Sequence, residues 1–228
     1  MALISYVSTR KKSHAEALKI AAETEQIRAV TTKLLLELDG QPDAIAGSRG
    51  APRGWTASGS DPWDYDMGVD RAMCYSGHAS GFIRSRPNPR GFATLMQNMR
   101  ADNFLGQRLR MAAWVRAEGV GNWAGLWMRV NGSSGEMLSF DNMERRAIRG
   151  SAGWKRHEIV LDVPGNSEAI AFGVLLEGAG SVWIDDVRFE AVADSVETTD
   201  VMDHHEFSSE PVNLDFEDLT ISEAGSPD

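Results

Sequence analysis

The chain has 228 residues, 42% hydrophobic and 8% aromatic, which is enough apolar material for one sizeable core and flanking segments. No run approaches the roughly 20 apolar residues of a membrane-spanning helix, and MALISYVSTRKKS puts its apolar stretch before its charges, the reverse of a secretory signal. The net charge is −10, and the one cysteine, Cys74, excludes an internal disulfide and suits a reducing, cytoplasmic setting.

In chain order, the first predicted element is a helix over 13–39. Ser13 and Glu16 form a capping box, Ala15 to Leu38 holds no Gly or Pro, and Gly40 and Pro42 end the segment. Ile20, Ile27 and Leu34 recur every seven residues, while Thr24 and Thr31 weaken the seam as a coiled coil. This helical extension, residues 1–40, either packs on its own domain or joins two copies into a homodimer. Residues 41–62 are rich in Gly, Pro, Ser and Ala and read as a linker or loop.

From Trp63 to about 192 short alternating runs follow one another. Strands are predicted near 65–71, 78–85, 91–98, 107–117, 122–131, 136–141, 155–162, 168–176 and 181–190, separated by RPNP, EGVG, NGSSGE, GSAG, VPGN and EGAG. No helical pattern lies between them, so an antiparallel sandwich or barrel is expected rather than a parallel α/β sheet. Residues 193–228 form an acidic tail, with twelve acids and no Lys or Arg after Phe189. Such a tail weighs against nucleic-acid contact by that segment. PVNLDFE, 211–217, can add one more strand.

Three patterns bear on function. In SVWIDDVRFE (181–190), strict alternation puts Trp183, Asp185, Val187 and Phe189 on one face and Val182, Ile184, Asp186 and Arg188 on the other. One carboxylate is thereby drawn toward the interior, as a catalyst, a metal ligand or a hydrogen-bonded structural acid. In WAGLWMRVN, Ala124, Leu126, Met128 and Val130 make a core face, and Trp123, Trp127, Arg129 and Asn131 lie opposite. In the preceding run Trp114 and Arg116 share the side away from the core. Aromatic rings take the C–H faces of sugars and Arg or Asn takes the hydroxyls, so this surface suits a small polar ligand, with Gln97 and Asn142 completing it. The alternative is that these rings pack beneath the 40–62 loop, the helix or a partner subunit. Trp154, Phe172, Val174 and Leu176 read as core. His157 is isolated, DHHE at 203–206 lacks further zinc ligands, and Cys74 has no activating neighbour in sequence. No GxSxG, P-loop, HExxH or GxGxxG occurs.

The succession YDMGVD, SGHASGFIRS, GFATLMQ, GQRLRMAAWVRAEGV, WAGLWMRVNG, LSFDNM, GWKRHEIVLDVP and AIAFGVLLEGAGSVWIDDVRFE resembles the carbohydrate-binding-module-like, or galactose-binding-like, jelly rolls over residues 63–190. The resemblance implies an antiparallel jelly-roll β-sandwich and a non-catalytic module for a carbohydrate-like or other small polar ligand. In similar jelly rolls one acid of the last strand helps hold a structural calcium with an acid of an N-x-x-F-E strand. Here that motif is NLDFE, 213–217, so the resemblance implies Asp185 and Glu217 as metal ligands. GFATLMQ, WAGLWMRV and FDNM also resemble domains of bacterial transcriptional regulators, which implies an effector-sensing, dimerising region. One helix before residue 40 falls short of a helix-turn-helix, so direct nucleic-acid binding by this chain is not expected, nor is a membrane partner. A glycan-processing enzyme is the third class; it needs two carboxylates about one bond, and Glu136, Asp141, Glu177 and Asp185 are available.

Overall fold

The computed structural model of the protein describes residues 51–202. The expected helix at 13–39, the strand at 211–217, the DHHE cluster and Glu217 lie outside the described residues. Among the described residues nine strands run in chain order: β1 (Thr56–Gly59), β2 (Tyr65–Asp70), β3 (Ser80–Ser85), β4 (Phe92–Arg100), β5 (Gln107–Gly132), β6 (Met137–Asp141), β7 (Ile148–Val163), β8 (Ser167–Glu177) and β9 (Ser181–Val192). Single 3-10 turns at Pro62–Asp64, Asp102–Phe104 and Glu144–Arg146 are the only helical elements among the described residues. β1, within the expected loop, was missed because TASG carries no apolar alternation; it pairs with β4.

All pairings are antiparallel. One layer is ordered β2-β3-β9-β5-β7 and the other β1-β4-β8-β5-β6, because β5 belongs to both. Its first half, Arg108 to Glu118, lies between β9 and β7; its second half, from Trp123, lies between β8 and β6. The ladder is therefore continuous, one nine-stranded sheet folded into a near-barrel, an arrangement that a jelly-roll sandwich fits. By its glycines EGVG is expected to be a turn between two strands. Those residues instead redirect one strand without reversing it. The redirection is tight: Gly180, at φ +129, packs where a Cβ would lie 2.7 Å from the Val120 Cα.

Between the layers lies the main core. β5 contributes Leu109, Met111, Ala113 and Val115 from odd positions before the bend and Ala124, Leu126, Met128 and Val130 from even positions after it. Ile159 and Leu161 of β7, Ile170, Phe172, Val174 and Leu176 of β8, and Val182 and Ile184 of β9 join them. Each buried aliphatic chain contributes about 1.5–3 kcal/mol. Trp154, expected in this core, is half-buried and lies outside it.

β9 breaks its own alternation. Trp114 pairs with Asp185 and Ala112 with Arg188, so an extra residue is inserted on β9. Asp186 sits there at φ +50, a conformation Asp tolerates better than most residues. The bulge re-phases the strand. Asp185 stays on the outer side with Trp183, while Val187 and Phe189 turn inward, Phe189 meeting Phe172 edge-on at 4.7 Å. Neither carboxylate points into the core.

After β9 the chain straps the β7 and β6 edges together. Arg108 pairs with Asp162 and donates to the carbonyls of Asp194 and Val196 at 2.6 and 2.5 Å. Thr199 N–H donates to the Val160 carbonyl and Val201 N–H to that of Phe140.

Candidate functional site

The structure does not gather the seven expected ligand residues into one site. Because β5 passes from one layer to the other, Trp114 and Arg116 lie on the outer side of the first layer, and Trp123, Trp127 and Arg129 on the outer side of the second. The core separates the two sets.

The second layer's outer face is closed. Trp127 is 0% exposed, and its Nε1–H reaches across β8 to donate to the Thr94 hydroxyl at 2.7 Å. Trp123 is buried with its Nε1–H on the Glu177 carboxylate. Phe92, Met96, Phe140, Ala171 and Leu175 surround the rings, and Met137, Ala147, Val201 and Met202 cover them. Gly125 permits this closure, since a Cβ there would lie 2.9 Å from that of Met143. Arg129 and Asn142 are each 4% exposed, and Asn142 is engaged with Glu144. Gln97 is half-buried. The expectation of an open groove over Trp127 is corrected. These rings pack beneath the chain's own loops, because an outward Trp on a central strand is a large apolar surface that the 137–147 and 199–202 segments bury. Burial also pushes the Glu144 carboxyl above its ordinary value; the Asn142 amide offsets this in part, and the charge of Glu177 adds to it.

The first layer's outer face is open. The β2–β3 loop folds back over it and lays Tyr75 flat on Trp114, with ring centroids 3.9 Å apart and planes at 13°. Trp154 approaches Tyr75 edge-on at 6.1 Å. Asp185 holds the loop: one carboxylate oxygen accepts the Tyr75 and Ser76 amides at 2.8 and 3.0 Å, and the other accepts the Asp186 amide at 2.7 Å. It is the hydrogen-bonded structural acid among the three alternatives. Beside the rings is a hollow of about 430 Å³ lined by Tyr75, Trp114, Arg156, Asp186, Arg188 and Glu190. Arg188 pairs with Asp186, Arg156 with Glu158, and Arg110 with Glu190. Sequence reasoning found Trp114 and missed Tyr75, Arg156 and Arg188. Their one signal was an aromatic residue inside the Gly/Ser-rich turn CYSG.

The acids weighed for catalysis are dispersed and engaged. Glu136 accepts the Ser134 amide, the buried Asp141 accepts from Arg146 and the Met143 amide, Glu177 takes Trp123, and Asp185 takes the loop. No group of three or more His, Cys, Asp or Glu able to hold a metal gathers among the described residues. Asp185, with three amides on its two oxygens, does not fit the calcium role that the resemblance implied, and the Glu217 half of that pair lies outside the described residues. No helix among the described residues is long and apolar enough to cross a membrane.

No protein-family model matches the chain. It is 46% identical over 168 residues to a Bacillus subtilis protein named "Uncharacterized HTH-type transcriptional regulator YbfP", a match spanning 73% of this chain and 57% of that protein. The chain thus spans little more than half of that relative's length. Solved structures similar to it include carbohydrate-binding modules. The CBM22-1 xylan-binding domain of Paenibacillus barcinonensis Xyn10C aligns at a TM-score of 0.46 and 12% identity, covering 64% of this chain and 90% of that one. TmCBM61 in complex with β-1,4-galactotriose aligns at 0.43 and 16%, covering 63% and 92%.

Proposed function

We propose that the chain is a non-catalytic binding module for a carbohydrate-like or other small polar ligand, and that it takes this ligand on the outer face of the first layer. One observation carries the reading: Tyr75, 41% exposed and held flat by Trp114, borders an open hollow edged by Arg156 and Arg188. Such a ring offers a stacking plane, and the charged groups around it offer hydrogen bonds to hydroxyls. The engagement of each candidate acid by the protein's own donors favours binding over catalysis. A glycan array followed by calorimetry tests it. Tyr75→Ala is expected to weaken binding at least tenfold and to leave the fold intact. Trp127→Ala is expected to cost about 3–5 kcal/mol of stability. Binding unaffected by Tyr75→Ala, or no binding to any saccharide, overturns the proposal.

A second reading is favoured by the relative at 46% identity: the sandwich is the effector-sensing region of a transcriptional regulator. Dimerisation through 13–39 belongs to this reading. A saccharide that binds both this chain and full-length YbfP is then expected to change YbfP's affinity for DNA; unchanged DNA affinity under saturating ligand overturns it.

A further inference from the structure

We propose that the ligand of the open face is an acidic saccharide, whose carboxylate is held by Arg116 and Arg84 beside Trp183. This inference rests on the binding reading above and narrows its ligand class.

Across β3, β9 and β5 the register sets Phe82, Trp183 and Arg116 side by side. Trp183 faces outward yet is only 3% exposed, and the guanidinium carbons of Arg84 and Arg116 each lie 5.9 Å from its ring centroid. Arg84 also lies 5.4 Å from the Phe82 ring. The indole is fixed in turn, its Nε1–H donating to Asp70 at 2.9 Å. Two guanidinium groups are therefore held over one aromatic surface, an arrangement that orients them.

The neighbouring arginines are neutralised. Arg108, Arg110, Arg156 and Arg188 each pair with an acid. Neither Arg84 nor Arg116 comes within 4.0 Å of a carboxylate among the described residues, and the buried Nε–H of Arg116 has no acceptor there. The nearby acids are committed. Asp70 takes Trp183 and the amides of Ala72 and Met73, Asp185 takes three amides, and Asp186 takes Arg188. Glu118, exposed and opposite Ser181, marks the patch's limit toward the bend.

The cationic pair adjoins the aromatic platform. Arg116 is the next outward residue along β5 after Trp114, and the shift of pairing between Val115–Lys155 and Ala117–Ala152 leaves Gly153 and Trp154 opposite it. The hollow ends at Trp114 and Arg116 lies one outward position further along β5, so a saccharide of several units that starts in the hollow and crosses the Tyr75 ring reaches Arg116. The planar fork of a guanidinium matches a carboxylate in two parallel hydrogen bonds, whereas a neutral hydroxymethyl group at the same ring position leaves both charges without a counterion.

The test uses the full chain and calorimetry with trimers of galacturonic, glucuronic and mannuronic acid, each against its methyl ester. At low salt at least one uronate is expected to bind tenfold or more tighter than its ester, with the preference shrinking as salt rises. Arg116→Gln and Arg84→Gln should each reduce that preference with little effect on ester binding. Arg116→Lys, which keeps the charge and the ring cover, should fall between them and wild type. Equal affinity for acid and ester, or a preference untouched by these substitutions, overturns the ligand class; if that binding still depends on Tyr75, the binding-module reading stands. Absence of binding to every acid, ester and arrayed saccharide overturns both.

Discussion

Glu144 is half-buried beside Asn142 and close enough to Glu177 to feel its charge. Burial is the main reason its carboxyl titrates above the ordinary value of 4.5. The folded state therefore holds the proton more tightly than the unfolded state. The associated stability is fully present below about pH 4.5 and is lost as pH rises through the folded value. At neutral pH the ionised form is a cost to the fold. Glu144→Gln is expected to raise the melting temperature at pH 7 and to give no gain near pH 4. A gain of equal size at both pH values would show that the charge is not its source. The contrast between Trp127 and Tyr75 is also decided at this scale. Outward Trp residues on alternating strands were legible in the sequence. Which of them solvent reaches was not, because that depends on Gly125 admitting the 142–143 loop and on Asp185 recruiting a loop 110 residues earlier in the chain.

Among the elements, β9 departs furthest from its sequence pattern. The run SVWIDDVRFE alternates cleanly, and strict alternation sends one Asp inward. The bulge at Asp186 removes that conflict by shifting the phase after Asp185, so both acids stay outside and Phe189 reaches Phe172. Alternation by itself does not announce a bulge; the only hint is a pair of polar residues at the centre of an otherwise apolar strand. Asp185 thereby becomes the anchor of the Tyr75 loop. Asp185→Ala is expected to speed hydrogen exchange at the Tyr75 and Ser76 amides, to weaken ligand binding through loss of the Tyr75 platform, and to cost about 1–3 kcal/mol. Exchange at those two amides matching wild type would remove Asp185 from this role.

For the whole molecule, the sequence revealed the all-β class, eight of the nine strands in whole or part, and most core positions, since each follows from local alternation and turn chemistry. It did not reveal that two predicted strands are one. A Gly-rich interruption reads alike whether the chain reverses or merely bends, and only long-range pairing tells them apart. That single difference moved Trp114 and Trp127 to opposite sides of the protein. The order of the first layer has a further bearing on how the molecule is made. β9, the last strand among the described residues, fills the gap between β3 and β5. During synthesis, the flanks of those two segments wait with bare backbone donors and acceptors until nearly the entire sandwich has left the ribosome. Nascent chains are thus open to mispairing with one another throughout that interval, and the first layer is completed only when translation has passed Val192.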